Sequence, residues 1–98
     1  MRVFRQHLEF EWDAGNSGKN LKNHGVTDGE CEEVFFDPDK KIAKDTFHSG
    51  REPRYILFGR TRVSRLLFLV FTIRKGRIRV ISARDINTKE RHLYEEKT

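Results

Sequence analysis

The 98-residue sequence has a single cysteine, Cys31, so no disulfide can form within the chain and a reducing compartment suits it. No apolar run approaches the roughly 20 residues that a membrane-spanning helix needs. Met1–His7 has no apolar stretch of the signal-peptide kind. The expectation is a cytoplasmic protein without membrane contact. The four histidines and Cys31 lack zinc-ligand spacing, and Lys75-Gly76 is not part of a P-loop. No metal and no cofactor is expected. Repeats and low-complexity tracts are missing too, and the length suits one domain, 1–98. Hydrophobic residues make up only 36% of the chain and charged residues another 36%, so a partner that covers exposed surface fits the composition.

Negative charge is scarcest in the second half. Residues 51–84 hold ten Lys/Arg and one acid, Glu52; residues 1–50 hold seven cations and ten acids, and 85–98 hold three and four. The net charge of +5 therefore conceals a block of +9. Nine of its ten cations are arginine, whose planar fork of donors matches phosphate oxygens. Nucleic acid or an acidic protein is the expected partner.

Periodicity and punctuation place the elements. Val3–Trp12 reads as a first strand or extended lead-in, with Phe10 and Trp12 on one face. Asp13 is placed to cap a helix over 14–24, which Gly15 and Gly18 weaken and Gly25 ends. Thr27-Asp28-Gly29-Glu30 spells a capping box for a second helix reaching about Phe36, with Cys31, Val34 and Phe35 on one side. Asp37-Pro38-Asp39 stops it. Lys40–Phe47 reads as a short edge strand, His48–Pro53 as a loop and Arg54–Arg60 as a strand. Leu66–Ile73 is apolar enough for a central strand covered on both faces. Lys75-Gly76 turns the chain into a last strand, Arg77–Arg84. Asn87 and Glu90 cap a final helix with Leu93 and Tyr94 as its apolar contacts. The predicted fold is α+β: an N-terminal strand and two helices, an antiparallel sheet of three to four strands, and a C-terminal helix.

Several residues occur in a telling order: Phe10-Glu11-Trp12-Asp13, Lys19, Asn20, His24-Gly25-Val26, Val34-Phe35, Asp37-Pro38, Arg54, Gly59, Phe71-Thr72, Arg79-Val80-Ile81-Ser82-Ala83-Arg84, Glu90-Arg91 and Tyr94. The pattern resembles the BrnT-type toxins from Phe10 to Tyr94. No single motif in it is specific, but the ordered set is. The resemblance implies a RelE-like fold and a metal-independent endoribonuclease that blocks translation. It also implies a BrnA-like antitoxin as partner, RNA as substrate, and contact with DNA only through the toxin–antitoxin complex.

Cleavage of RNA without a metal uses the 2′-hydroxyl as nucleophile, so it needs a proton acceptor, a proton donor and fixed cations at the phosphate. Arg79 is the leading phosphate clamp. Arg84 lies five positions on, where a regular strand would turn it to the opposite face; either a bulge intervenes or Arg84 pairs with an acid on the last helix. Ser82 could donate to a phosphate oxygen, or could be a small residue beside helix packing. His24 has a suitable pKa for acid–base work, and equally suits a helix C-terminus. Glu52 is a candidate base or an ion-pair partner, and its cationic surroundings should lower its pKa. Arg65 and Arg77 are further phosphate-contact candidates. The alternative is a basic module that binds RNA or protein without cutting.

Overall fold

The computed structural model describes residues 8–47, 50 and 52–96. Val3–His7 of the expected first strand, and His48, Ser49 and Arg51 of the expected loop, lie outside the described residues. Among the described residues no helix is long and apolar enough to cross a membrane.

Four strands form one antiparallel sheet in chain order: β1 (Lys41–Asp45), β2 (Arg54–Arg60), β3 (Leu66–Arg74) and β4 (Arg77–Asp85). Short helices α1 (Lys19–His24) and α2 (Asp28–Glu33) precede it, and α3 (Thr88–Glu95) follows. The α+β expectation holds, and the last three strands match their expected bounds to within a residue. The β3–β4 hairpin closes on two left-handed residues, Lys75 (φ 50°) and Gly76 (φ 79°), the geometry that a two-residue turn needs to follow the sheet's twist.

The core lies on one face of this sheet. Leu57, Leu67, Leu69, Phe71, Val80 and Ala83 point into it and meet Val26, Cys31, Val34 and Phe35 from the α2 region. The Phe35 ring stands edge-on to Phe71 at 5.0 Å and to Phe10 at 5.3 Å. The expected capping box starts α2: Glu30 N donates to Thr27 Oγ1 (3.0 Å) and Thr27 N to Glu30 Oε1 (2.9 Å). The helix then tightens into a 3₁₀ turn, Val34–Phe36, which lies directly on Gly59. A Cβ at Gly59 would stand 2.8 Å from Val34 Cβ, so the close approach depends on glycine. Burial pushes the Cys31 thiol up to about 12, which keeps it protonated and inert.

Three expectations are corrected. The helix expected over 14–24 forms only from Lys19. The Asp13 carboxylate accepts from Gly15 N (2.8 Å) and folds 13–17 into turns instead, and Gly18, at φ 76°, is the cap. Of the expected first strand or extended lead-in, the described residues form no named strand: residues 9–11 lie extended and parallel to the outer edge of β4 with one bridge, Phe10 to Ile78; Ile78 N donates to Glu9 O and Glu11 N to Ile78 O, both at 2.8 Å. Finally, β3 is covered unevenly on its second face. Leu67, Leu69 and Phe71 are buried on the core face; on the other, Leu66 and Thr72 are buried at the two ends while Phe68 and Val70 between them stay half-buried. The reason is α3, which is too short and polar to cover that face: it buries Tyr94 alone and leaves Leu93 exposed.

Candidate functional site

The half-open face of the sheet carries the arginines. Strand pairing arranges its residues in rows running across the strands. One row is Lys41, Phe58, Phe68 and Arg84; the next is Ala43, Ile56, Val70 and Ser82. Beyond them Thr72 pairs with Arg79 and Arg74 with Arg77. Arg79, Ser82 and Arg84 oppose Thr72, Val70 and Phe68, alternate residues of β3, so all three side chains lie on one face. A regular strand could not place positions 79 and 84 together. The register shifts between Val70 and Phe71, and Ile81 is the extra residue, without a cross-strand partner. Of the two routes open to Arg84, both are taken. The bulge turns it to the face of Arg79, and its Nη1 and Nη2 grip both oxygens of Glu90 on α3 at 2.9 and 2.8 Å. Its guanidinium also lies 3.9 Å above the Phe68 ring.

At the other end of the face the arginines meet carboxylates. Arg79 Nη1 donates to Glu11 Oε1 (3.2 Å) and Asp13 Oδ2 (2.9 Å), and Nη2 to Asp13 Oδ1 (3.1 Å). Arg74 Nε donates to Glu52 Oε2 at 2.6 Å, and Arg77 Nε lies 3.4 Å from Glu9. The acids come from the lead-in beside β4 and from the segment before β2, so the +9 block is partly neutralised in place. Arg79 holds the Asp13 carboxyl below its ordinary range, and Arg74 does the same to Glu52, as its cationic surroundings predict. A guanidinium has five N–H groups. Among the described residues, Arg79 and Arg84 each leave Nε–H and one Nη2–H without an acceptor.

Not every candidate reaches this face. Arg65 donates to Asp85 (2.7 Å), Gly25 O (2.9 Å) and Glu30 (3.1 Å), which ties the β2–β3 turn to α1, α2 and the end of β4. His24 precedes Gly25, and so stands at the Asp85 end of β4, about 20 Å along the strand from Arg79 at ~3.3 Å per residue. Among the described residues its side chain makes no hydrogen bond or ion pair.

Three residues to which the composition and motifs give no role, Arg74, Asn16 and Asn20, also contact the site. Asn16 Nδ2 donates to Val80 O (3.2 Å), and Asn20 Oδ1 accepts from Ala83 N (3.0 Å). The ordered motif set held a usable signal, because many of its members contact one another. Asp13 meets Arg79, Asn20 meets Ala83, Asp37 meets Tyr94 and Arg84 meets Glu90.

A family model described as "Ribonuclease toxin, BrnT, of type II toxin-antitoxin system" matches residues 12–90, well over half of the chain. No curated protein matches the chain.

Proposed function

The chain belongs to the BrnT family of ribonuclease toxins of type II toxin–antitoxin systems, and from that premise we propose that it cuts RNA internally, without a metal ion, on the half-open face of its sheet. The RNA 2′-hydroxyl attacks the adjacent phosphorus, the new bond closes a 2′,3′-cyclic phosphate, and the P–O5′ bond breaks; the leaving 5′-oxygen takes its proton from solvent water and departs as a 5′-hydroxyl. Arg79 offers its remaining N–H groups to the phosphoryl oxygens, where negative charge grows; Arg84, about 13 Å further along the face, offers its own to a neighbouring phosphate of the same RNA. The Ser82 hydroxyl lies in the row between them and donates to the same phosphoryl group as Arg79. Glu52, kept ionised by Arg74, takes the 2′-hydroxyl proton. Arg74 and Arg77 hold the flanking backbone. His24 and Arg65 stand off this face and take no step.

The observation that carries this reading is the placement of Arg79, Ser82 and Arg84 on one rigid strand face that α3 leaves half open. In the same reading the fold is RelE-like and cleavage blocks translation in the cytoplasm. A BrnA-like antitoxin silences the enzyme, and DNA is contacted only through that complex.

Arg79→Lys tests it. Lysine keeps the charge opposite Asp13 but loses the fork. Cleavage should fall on the order of 10²–10³-fold, as when one oxyanion donor is removed, with an unchanged circular dichroism spectrum. Undiminished cleavage would remove Arg79 from the site. Salt-sensitive RNA binding by the wild type without any product would leave a binding module instead.

A further inference from the structure

We propose that Asn16 and Asn20 are the positioning residues of this site: together they hold the bulge at Ile81 that turns Ser82 and Arg84 to the face of Arg79. The catalytic half of this inference rests on the ribonuclease reading, and the structural half stands without it.

Among the described residues the outer edge of β4 has only the isolated Phe10–Ile78 bridge and no paired strand, so its outward backbone groups need other partners. Ile78 finds them in the backbone of Glu9 and Glu11, Val80 O in Asn16, and Ala83 N in Asn20. In a regular antiparallel strand, outward-facing backbone groups recur at every second residue. Ile78 and Val80 obey that spacing. Val80 and Ala83 are three apart and both face outward, which requires one extra residue between them. The two asparagines therefore bind the bulged register and no other. Slipping to the regular register would turn Ala83 N toward β3, deprive Asn20 of its donor, and carry Ser82 and Arg84 to the core face.

The two side chains are suited to this task. Each is only 4% exposed. Asn16 is saturated: besides Val80 O, its Nδ2 reaches Glu11 O (3.0 Å) and its Oδ1 accepts from Asp13 N (2.9 Å). One amide thus links the bulge to the same segment whose Glu11 and Asp13 hold Arg79. Asn20 is used on one side only. Its Oδ1 takes the Ala83 N–H, while its Nδ2 is the buried side-chain polar atom without a partner among the described residues.

The test compares Asn20→Leu, which removes the acceptor at similar volume, with Asn20→Asp, which retains it. In the wild type the Ala83 amide should exchange slowly although it lies on an outer edge, and NMR should place Ser82 beside Val70 and Val80 beside Phe71. Asn20→Leu should lose slow exchange at Ala83 and the Ser82–Val70 contact. Its kcat should drop by at least the ~10²–10³-fold that one lost oxyanion donor costs, because Ser82 and Arg84 leave the face together. Asn20→Asp should recover both. Gly59→Ala, destabilised elsewhere, controls for stability and should keep the register and its kcat per folded molecule. Fast Ala83 exchange in the wild type overturns the proposal, as does an intact register in Asn20→Leu. If the wild type cuts no RNA, the ribonuclease reading fails, and exchange and NMR contacts still judge the bulge.

Discussion

Replacing Tyr94 by Phe removes a single oxygen from the joint between α3 and the sheet. Tyr94 is 5% exposed, and its hydroxyl donates to Asp37 Oδ2 at 2.7 Å. Asp37, 8% exposed, also accepts from the backbone N–H groups of Arg60 (2.8 Å) and Asp39 (2.9 Å). The variant leaves it two donors of three. Hydrogen bonds to charged acceptors are worth ~1.5–3 kcal/mol, and for a domain of this size ~2 kcal/mol lowers Tm by roughly 8–16 °C. The pH dependence makes the test specific. Burial, and next the bond to Asp37, push the Tyr94 phenol up to about 12, against ~10 in an unfolded chain. A group with a raised folded pKa gives its full stabilisation below the unfolded value and loses it as pH rises through the folded one. Thermal melts of wild type and variant should therefore differ fully near neutral pH and converge between about pH 10 and pH 12. Equal melting at neutral pH, or a gap that persists at about pH 12, would show that the Tyr94–Asp37 bond does not stabilise the fold in this way.

Other outcomes follow from the same geometry. Gly59→Ala forces a Cβ to within 2.8 Å of Val34 and Leu57 and should cost ~1–3 kcal/mol in chemical denaturation. Glu52→Gln should lower kcat by ~10²–10⁴-fold if Glu52 is the base; because Arg74 is then released, RNA affinity in a binding titration should hold or rise. Arg79, Arg65 and Arg84 keep the carboxyls of Asp13, Asp85 and Glu90 below their ordinary range. Depressed carboxyls stabilise the fold above their unfolded values and lose that contribution as pH falls through the folded ones, so Tm should decline below about pH 4. A flat Tm across that range contradicts these ion pairs.

Much of the fold was legible because local chemistry and tertiary packing agree there. The capping boxes at Thr27 and Asn87 start their helices, Lys75-Gly76 turns the hairpin, and the apolar run from Leu66 forms a central strand. The lead-in was less legible. Asp13 signals a helix start, yet its carboxylate serves Gly15 N and Arg79, and a contact 66 residues away leaves no periodic trace. The site was readable as composition but not as geometry. Arginine density pointed to Arg79 and Arg84, while their common face depends on one extra residue, Ile81, that alternation alone does not reveal. Nor did charge counting show that Glu9, Glu11, Asp13 and Glu52 would converge on the arginine block, because three of them come from the opposite end of the chain.

Metal-independent RNA cleavage through the 2′-hydroxyl leaves a chemical signature on its products. It is tested most directly by digesting RNA with the purified wild-type chain in EDTA, identifying the new 3′ ends, and repeating the digestion with one 2′-deoxy nucleotide at the cut position. Cleavage in EDTA, 2′,3′-cyclic phosphate ends, and no cut at the deoxy position are expected. Loss of cleavage in EDTA, 3′-hydroxyl ends, or an undisturbed cut at the deoxy nucleotide would contradict it.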